Sequence, residues 1–120
     1  AAAAVAYALR QLKKDYLFVS REPRQAPEPQ LTVRYSAALE LATMRTLIIN
    51  CTPLGMSPHE TDTPWPDTAL LTPQHLVYDL VYNPSPTLLM QEATHSGASV
   101  KDGTEMLHHQ AILSYKLWNL

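Results

Sequence analysis

The chain has 120 residues, 46% of them hydrophobic and 17% charged, with a formal net charge of -2. That length supports one core of ordinary size, so a single domain is expected. The near-neutral balance gives no electrostatic reason for a nucleic acid or an anionic membrane as partner, and no stretch reads as a membrane span or a signal peptide.

The single cysteine, Cys51, cannot form an internal disulfide and fits a reducing compartment, which makes a cytoplasmic protein the default expectation. The chain opens in mid-helix on four alanines, with no initiator Met and no strand before them, and so reads as a fragment. Residues 1–14 predict a helix with Val5, Ala8, Leu9 and Leu12 on one face, and with Arg10, Lys13 and Lys14 near its end opposing the helix dipole. Residues 16–19 (YLFV) predict a short buried strand that leaves through Ser20, Arg21 and Glu22.

A helix followed by a strand, on a chain cut at its front, is the back half of a βαβ unit. In dinucleotide folds the residue closing the second strand meets the adenosine ribose, and NAD calls for Asp or Glu there. Here Ser20 holds the place, with Arg21 next to it and Arg24 close by. A guanidinium at that corner can hold a 2′-phosphate through paired charge-assisted hydrogen bonds, which favours NADP over NAD. The plainer alternative is that both arginines are solvated loop charges.

Residues 24–30 form a Pro-rich loop, residues 31–34 a short strand, and Ser36 is placed to cap a helix through Ala42. The stretch TLIINCTPLGM (46–56) organises the rest. Leu47, Ile48 and Ile49 do not alternate with polar residues, so they predict a strand buried on both faces of a parallel sheet. Asn50, Cys51, Thr52, Pro53 and Gly55 then make a turn-rich loop at the carboxyl end of that strand, the edge where open α/β sheets hold ligands. Residues 57–71 read as a long loop around Trp65, which either anchors the loop by packing or stacks on a ligand.

Residues 76–82 (LVYDLVY) predict a further strand with Asp79, Leu80 and Tyr82 at its carboxyl end. Pro86 opens a helix over 87–96 that Gly97 closes, and residues 98–101 form a short strand. Asp102 caps a last helix running to Leu120, with Glu105 three residues on able to reach back. Gly103, Met106 and Gln110 share one face near its start, and Leu113 and Leu117 continue the stripe towards the core. An amide inside that stripe must bond nearby backbone or face a ligand cleft, so Gln110 stands out. The alternation as a whole predicts an α/β protein, a Rossmann-like open parallel sheet with helices on both faces, truncated before its first strand and glycine-rich turn.

Other chemistries find little support. His108 and His109 are neighbours on a helix and point roughly 100° apart, so they cannot ligate one metal together from that helix. His59, Glu60 and Asp62 are close in a loop but read as solvated. Cys51 has no cation near it in sequence to activate a thiolate. Neither a catalytic nor a metal-ligating set is expected in this chain.

Three motifs in order carry a resemblance. Asn50-Cys51-Thr52-Pro53-Leu54-Gly55-Met56 resembles an N-x-T-P-x-G-M loop. Asp79-Leu80-Val81-Tyr82-Asn83-Pro84 with Thr87-Leu88-Leu89 resembles D-x-x-Y-x-P…T-x-L-L, and Asp102-Gly103-Thr104-Glu105-Met106-Leu107 with Gln110-Ala111 and Trp118 resembles D-G-x-x-M-L…Q-A…W. All three are similar to the cofactor domain of the shikimate dehydrogenases. Ala1 would follow directly on that family's glycine-rich turn.

The resemblance implies an NADP-binding domain over 1–120, N-terminally incomplete, serving the reversible NADP-dependent reduction of 3-dehydroshikimate to shikimate in aromatic amino-acid biosynthesis. By the same resemblance Ser20 and Arg21, with Arg24, would hold the adenosine ribose and its 2′-phosphate. Thr52 and Leu54 would line the cofactor groove, Leu80, Gly103 and Met106 would sit near the nicotinamide, and Tyr82 and Gln110 would reach the substrate. Glu22 stands where the family has Thr, and Arg24 lies one place earlier than the family's second Arg.

The family's catalytic Lys and Asp belong to an N-terminal substrate domain, so no turnover is expected from these 120 residues alone. Two other readings stay open at this stage. One is a stand-alone dinucleotide-binding or regulatory module without catalysis, and the other is a quinate-using relative.

Overall fold

The computed structural model describes residues 2–26, 28–42, 47–65, 71–81, 83 and 85–118, with the side chains at 110, 114, 115, 117 and 118 excepted. The chain divides into two compact units, Ala1–Met44 and Arg45–Leu120.

In the first unit, helix α1 (Ala2–Gln11) precedes strand β1 (Phe18–Val19), two 3₁₀ turns (Pro23–Gln25 and Pro29–Leu31), strand β2 (Thr32–Val33) and helix α2 (Tyr35–Leu41). The alanines of α1 favour helix because they surrender no side-chain entropy. The helix stops three residues before Lys14, where it was expected to end. Lys13 takes a positive φ of 57°, and the amides of Lys13 and Lys14 bond back to the carbonyls of Arg10 and Leu9. That is a Schellman closure with a lysine in the place glycine usually holds.

β1 and β2 pair in parallel, Phe18 with Thr32 and Val19 with Val33. The Ser20 amide continues the ladder to the Val33 carbonyl at 3.0 Å. α2 begins two residues earlier than an N-cap at Ser36 allows: its cap position is Arg34, which offers no side-chain cap, so Ser36 does not act as the N-cap.

The second unit holds strand β3 (Leu47–Asn50), strand β4 (Leu76–Asp79), helix α3 (Leu88–His95), strand β5 (Ser99–Lys101) and helix α4 (Thr104–Trp118). The three strands form one parallel sheet in the order β3-β4-β5, with Asn50 opposite Asp79 and Val77 opposite both Ile48 and Val100. Parallel neighbours need a crossover, and α3 supplies the one between β4 and β5 while packing against both. Leu89, Met90 and Ala93 on α3, with Val77 of the central strand, make the core.

α3 is bounded as its sequence dictates. The Thr87 hydroxyl accepts the Met90 amide at the start. At the end Gly97 adopts φ +94°, and the amides of Gly97 and Ala98 return to the carbonyls of Thr94 and Ala93.

Three expectations need correction in this unit. β3 is not buried on both faces: Leu47 is 43% exposed, and among the described residues β3 has a strand neighbour on one side only. Glu105 does not reach back to the start of α4, because its carboxylate is held by Lys101 and faces His109. Leu113 does not extend an apolar stripe into the core: it is 60% exposed, since among the described residues nothing covers that face of α4. The Leu117 side chain lies outside the described residues. Trp65 is buried, as a packed loop anchor is.

Candidate functional site at the carboxyl edge of the parallel sheet

Parallel strands place all their carboxyl ends on one edge, so the loops leaving β3, β4 and β5 are neighbours whatever their separation in sequence. Thr52 and Leu54 follow β3, Leu80 follows β4, and Gly103 and Met106 follow β5. The ladder runs on past the strands: the Leu80 amide reaches the Asn50 carbonyl, and the Gly103 amide reaches the Val81 carbonyl, each at 3.2 Å. Five of the expected site residues are thereby brought to a single edge. Tyr82 and the Gln110 side chain lie outside the described residues.

A buried polar cluster shapes this edge. Asp79 and Thr87 are fully buried and Asn50 nearly so. Asp79 Oδ1 accepts the Asn50 carboxamide N–H and the Val81 amide, both at 3.0 Å, while Oδ2 accepts the Thr87 hydroxyl at 2.7 Å. Asn50 Oδ1 in turn accepts the amide and the hydroxyl of Thr52, at 2.9 and 2.7 Å, and Thr52 Oγ1 accepts the Leu54 amide at 3.2 Å. A buried carboxylate is tolerable only when it is well hydrogen-bonded, and three donors reach its two oxygens here.

Gly103 marks the closest approach. A Cβ built there would collide with the Leu80 carbonyl oxygen and lie 2.7 Å from the carbonyl carbon, so only glycine lets the two exits cross. Beside it, the Asp102 carboxylate is bonded by the Ser85 hydroxyl and by the Thr104 amide, which together hold its pKa below the ordinary value. A depressed carboxyl pKa adds stability that is present above the unfolded value and lost as pH falls through the folded one. Ser85→Ala is therefore expected to move the Asp102 titration upward in a carboxyl NMR pH series. An unchanged midpoint would show that Ser85 does not hold it. Burial pushes the Cys51 thiol pKa up, which works against a nucleophilic role.

In the first unit the corner after β1 is built by local bonds. The Ser20 hydroxyl accepts the Glu22 amide at 3.2 Å, Arg21 is exposed, and Arg24 lies in the first 3₁₀ turn, also exposed. Arg34 was not anticipated here. Its guanidinium donates to the Arg21 carbonyl at 3.1 Å, which adds a third cation to the corner from just past the end of β2. The parallel pairing of β1 and β2 creates that proximity, and nothing in the local sequence around Arg34 signals it.

No protein-family model matches the chain. It is 40% identical over 134 aligned residues to the shikimate dehydrogenase (NADP(+)) of Salinibacter ruber, an alignment covering 98% of this chain and 47% of that protein. The chain belongs to the shikimate dehydrogenase family. It is also similar to the chorismate mutase/shikimate 5-dehydrogenase fusion protein of Clostridium acetobutylicum, with a TM-score of 0.82 at 33% identity over 98% of this chain and 44% of that one. Shikimate 5-dehydrogenase of Thermus thermophilus, solved with NADP(H) and shikimate, matches with a TM-score of 0.78 at 32% identity over 96% of this chain and 44% of that one.

The fold is thus the partial, open α/β arrangement of the Rossmann-like part of shikimate dehydrogenases. The chain spans about half the length of the relatives it matches. Among the described residues no helix is long and apolar enough to cross a membrane.

Proposed function

We propose that these 120 residues are the cofactor domain of a cytoplasmic, NADP-dependent shikimate dehydrogenase, incomplete at the N-terminus, and that a substrate domain completes the enzyme. The observation that carries this reading is the gathering of Thr52, Leu54, Leu80, Gly103 and Met106 at one carboxyl edge of a parallel sheet, in a chain of this family. Open α/β sheets bind nucleotides at that edge.

Ser20, Arg21 and Arg24, joined by Arg34, hold the adenosine ribose and its 2′-phosphate. Guanidinium groups match phosphate geometry, and the corner carries no acid in the place that NAD would call for. Thr52 and Leu54 line the groove, while Leu80, Gly103 and Met106 contact the nicotinamide. The residues fit the cofactor in placement: the close crossing of Gly103 on Leu80 draws the exits of β4 and β5 together at the edge where the nicotinamide would lie. Bound NADPH supplies a hydride to the ring ketone of 3-dehydroshikimate, and the proton for the new hydroxyl comes from the substrate domain. Tyr82 and Gln110 contact the substrate. A stand-alone module without catalysis is not favoured, since the relatives that match nearly the whole chain are dehydrogenases.

Titration of the full-length natural protein with NADPH and NADH tests this reading. NADPH is expected to bind more tightly, and dehydroshikimate reduction is expected from the full-length protein but not from residues 1–120. Equal affinity for the two cofactors would remove the phosphate role of the arginines, and turnover by the isolated 120 residues would remove the need for a substrate domain.

A further inference from the structure

We infer that Asp79 is a positioning residue for the loop 50–55, fixing through Asn50 which way Thr52 presents its hydrogen-bonding groups to the cofactor; this rests on the proposed role of that loop.

The bonding pattern leaves one solution. Asp79 Oδ1 can only accept from Asn50, so the Asn50 nitrogen must face Asp79 and its oxygen must face Thr52. The same nitrogen also donates to the Leu54 carbonyl at 3.3 Å, which agrees with that orientation. With Asn50 so turned, its oxygen accepts the Thr52 hydroxyl proton, and Thr52 Oγ1 accepts the Leu54 amide. The Thr52 hydroxyl is then committed within the loop. Towards a ligand it can offer a methyl group and one remaining lone pair, and no donor. Thr52 therefore suits a donor or apolar part of the cofactor and disfavours a phosphate oxygen.

Asp79 reaches this loop across 29 residues of sequence, and its direct hydrogen bond to the loop is the one to Asn50. Its other oxygen bonds Thr87, whose own oxygen accepts the Met90 amide at the start of α3. One carboxylate thus sets both the loop and the helix start, through separate atoms, and the two roles can be separated by substitution.

The experiment measures NADPH affinity and urea unfolding for Asp79→Ala, Asn50→Ala, their double variant and Asp79→Asn, all in the full-length natural protein. Asp79→Ala and Asn50→Ala are each expected to weaken NADPH about tenfold, the loss of one hydrogen bond to a charged group. The double variant is expected to bind no worse than the weaker single, because both changes release the same loop. Asp79→Asn keeps an oxygen towards Asn50 and Val81 and turns its NH₂ to Thr87. It should lose stability while retaining NADPH affinity within about twofold, the scatter of independent sites.

Additive losses in the double variant, or an Asp79→Asn loss equal to that of Asn50→Ala, would overturn the inference. So would wild-type affinity in a folded Asp79→Ala. If Asp79→Ala does not fold, the comparison of Asn50→Ala with Asp79→Asn decides by the same criterion. Failure of the unmodified protein to bind NADPH would instead sink the proposed function, and the inference with it.

Discussion

Replacing Gly103 with alanine is expected to destabilise the full-length protein by about 3 kcal/mol, the upper end of the usual range for overpacking, and to abolish tight NADPH binding. The new Cβ would run into the Leu80 carbonyl oxygen and meet the Leu80 Cα at 3.2 Å. Those are backbone atoms and cannot swing aside as a side-chain tip could. The Leu80 amide is itself bonded to the Asn50 carbonyl, so a retreat of Leu80 pulls on the ladder between β3 and β4. The Gly103 amide would lose its 3.2 Å bond to Val81 as the two exits part. Urea unfolding with a lowered midpoint and unchanged slope would report the loss. A Gly103→Ala protein as stable as its parent, with unaltered NADPH affinity, would show that the exits cross less closely than described.

The second large effect is functional. Arg21→Ala is expected to weaken NADPH about 10- to 100-fold while leaving NADH nearly unchanged, because a charge-assisted bond to phosphate contributes about 1.5–3 kcal/mol and NADH has no 2′-phosphate to lose it. The corner supports that reading: the Ser20 amide is tied to Val33, and Arg34 holds the Arg21 carbonyl, so the backbone from which Arg21 projects is fixed. Since Arg24 and Arg34 remain in the single variant, the residual preference for NADPH should fall further in Arg21→Ala/Arg34→Ala and disappear only when Arg24 is replaced as well. Parallel titrations with both cofactors check this, and equal losses for NADH and NADPH would assign Arg21 to the backbone instead of the phosphate.

Much of the architecture was readable from the residues because its signals are local. Thr87 and Gly97 bracket α3 through bonds that span three to five residues, and the apolar run before Asn50 predicts β3 from its own composition. Where reading failed, a competing contact won. Ser36 was passed over when α2 began at Tyr35, and Glu105 was drawn to the ammonium of Lys101, which the capping pattern does not include. Leu113 shows the limit of periodicity: a stripe says which residues share a face, while exposure depends on what is packed against it.

By itself, the order of residues determined the alternation of strands and helices, the family, and which positions gather at the carboxyl edge, since each follows from short-range propensity and motif spacing. Only the tertiary structure decided that Asp79 governs the Asn50 loop, that Gly103 must lack a side chain because Leu80 lies against it, and that Arg34 joins Arg21. Each of these couples residues between 13 and 29 positions apart through directional bonds or close contact. Such pairings exist only once parallel strands have fixed their register, and no local sequence preference encodes them.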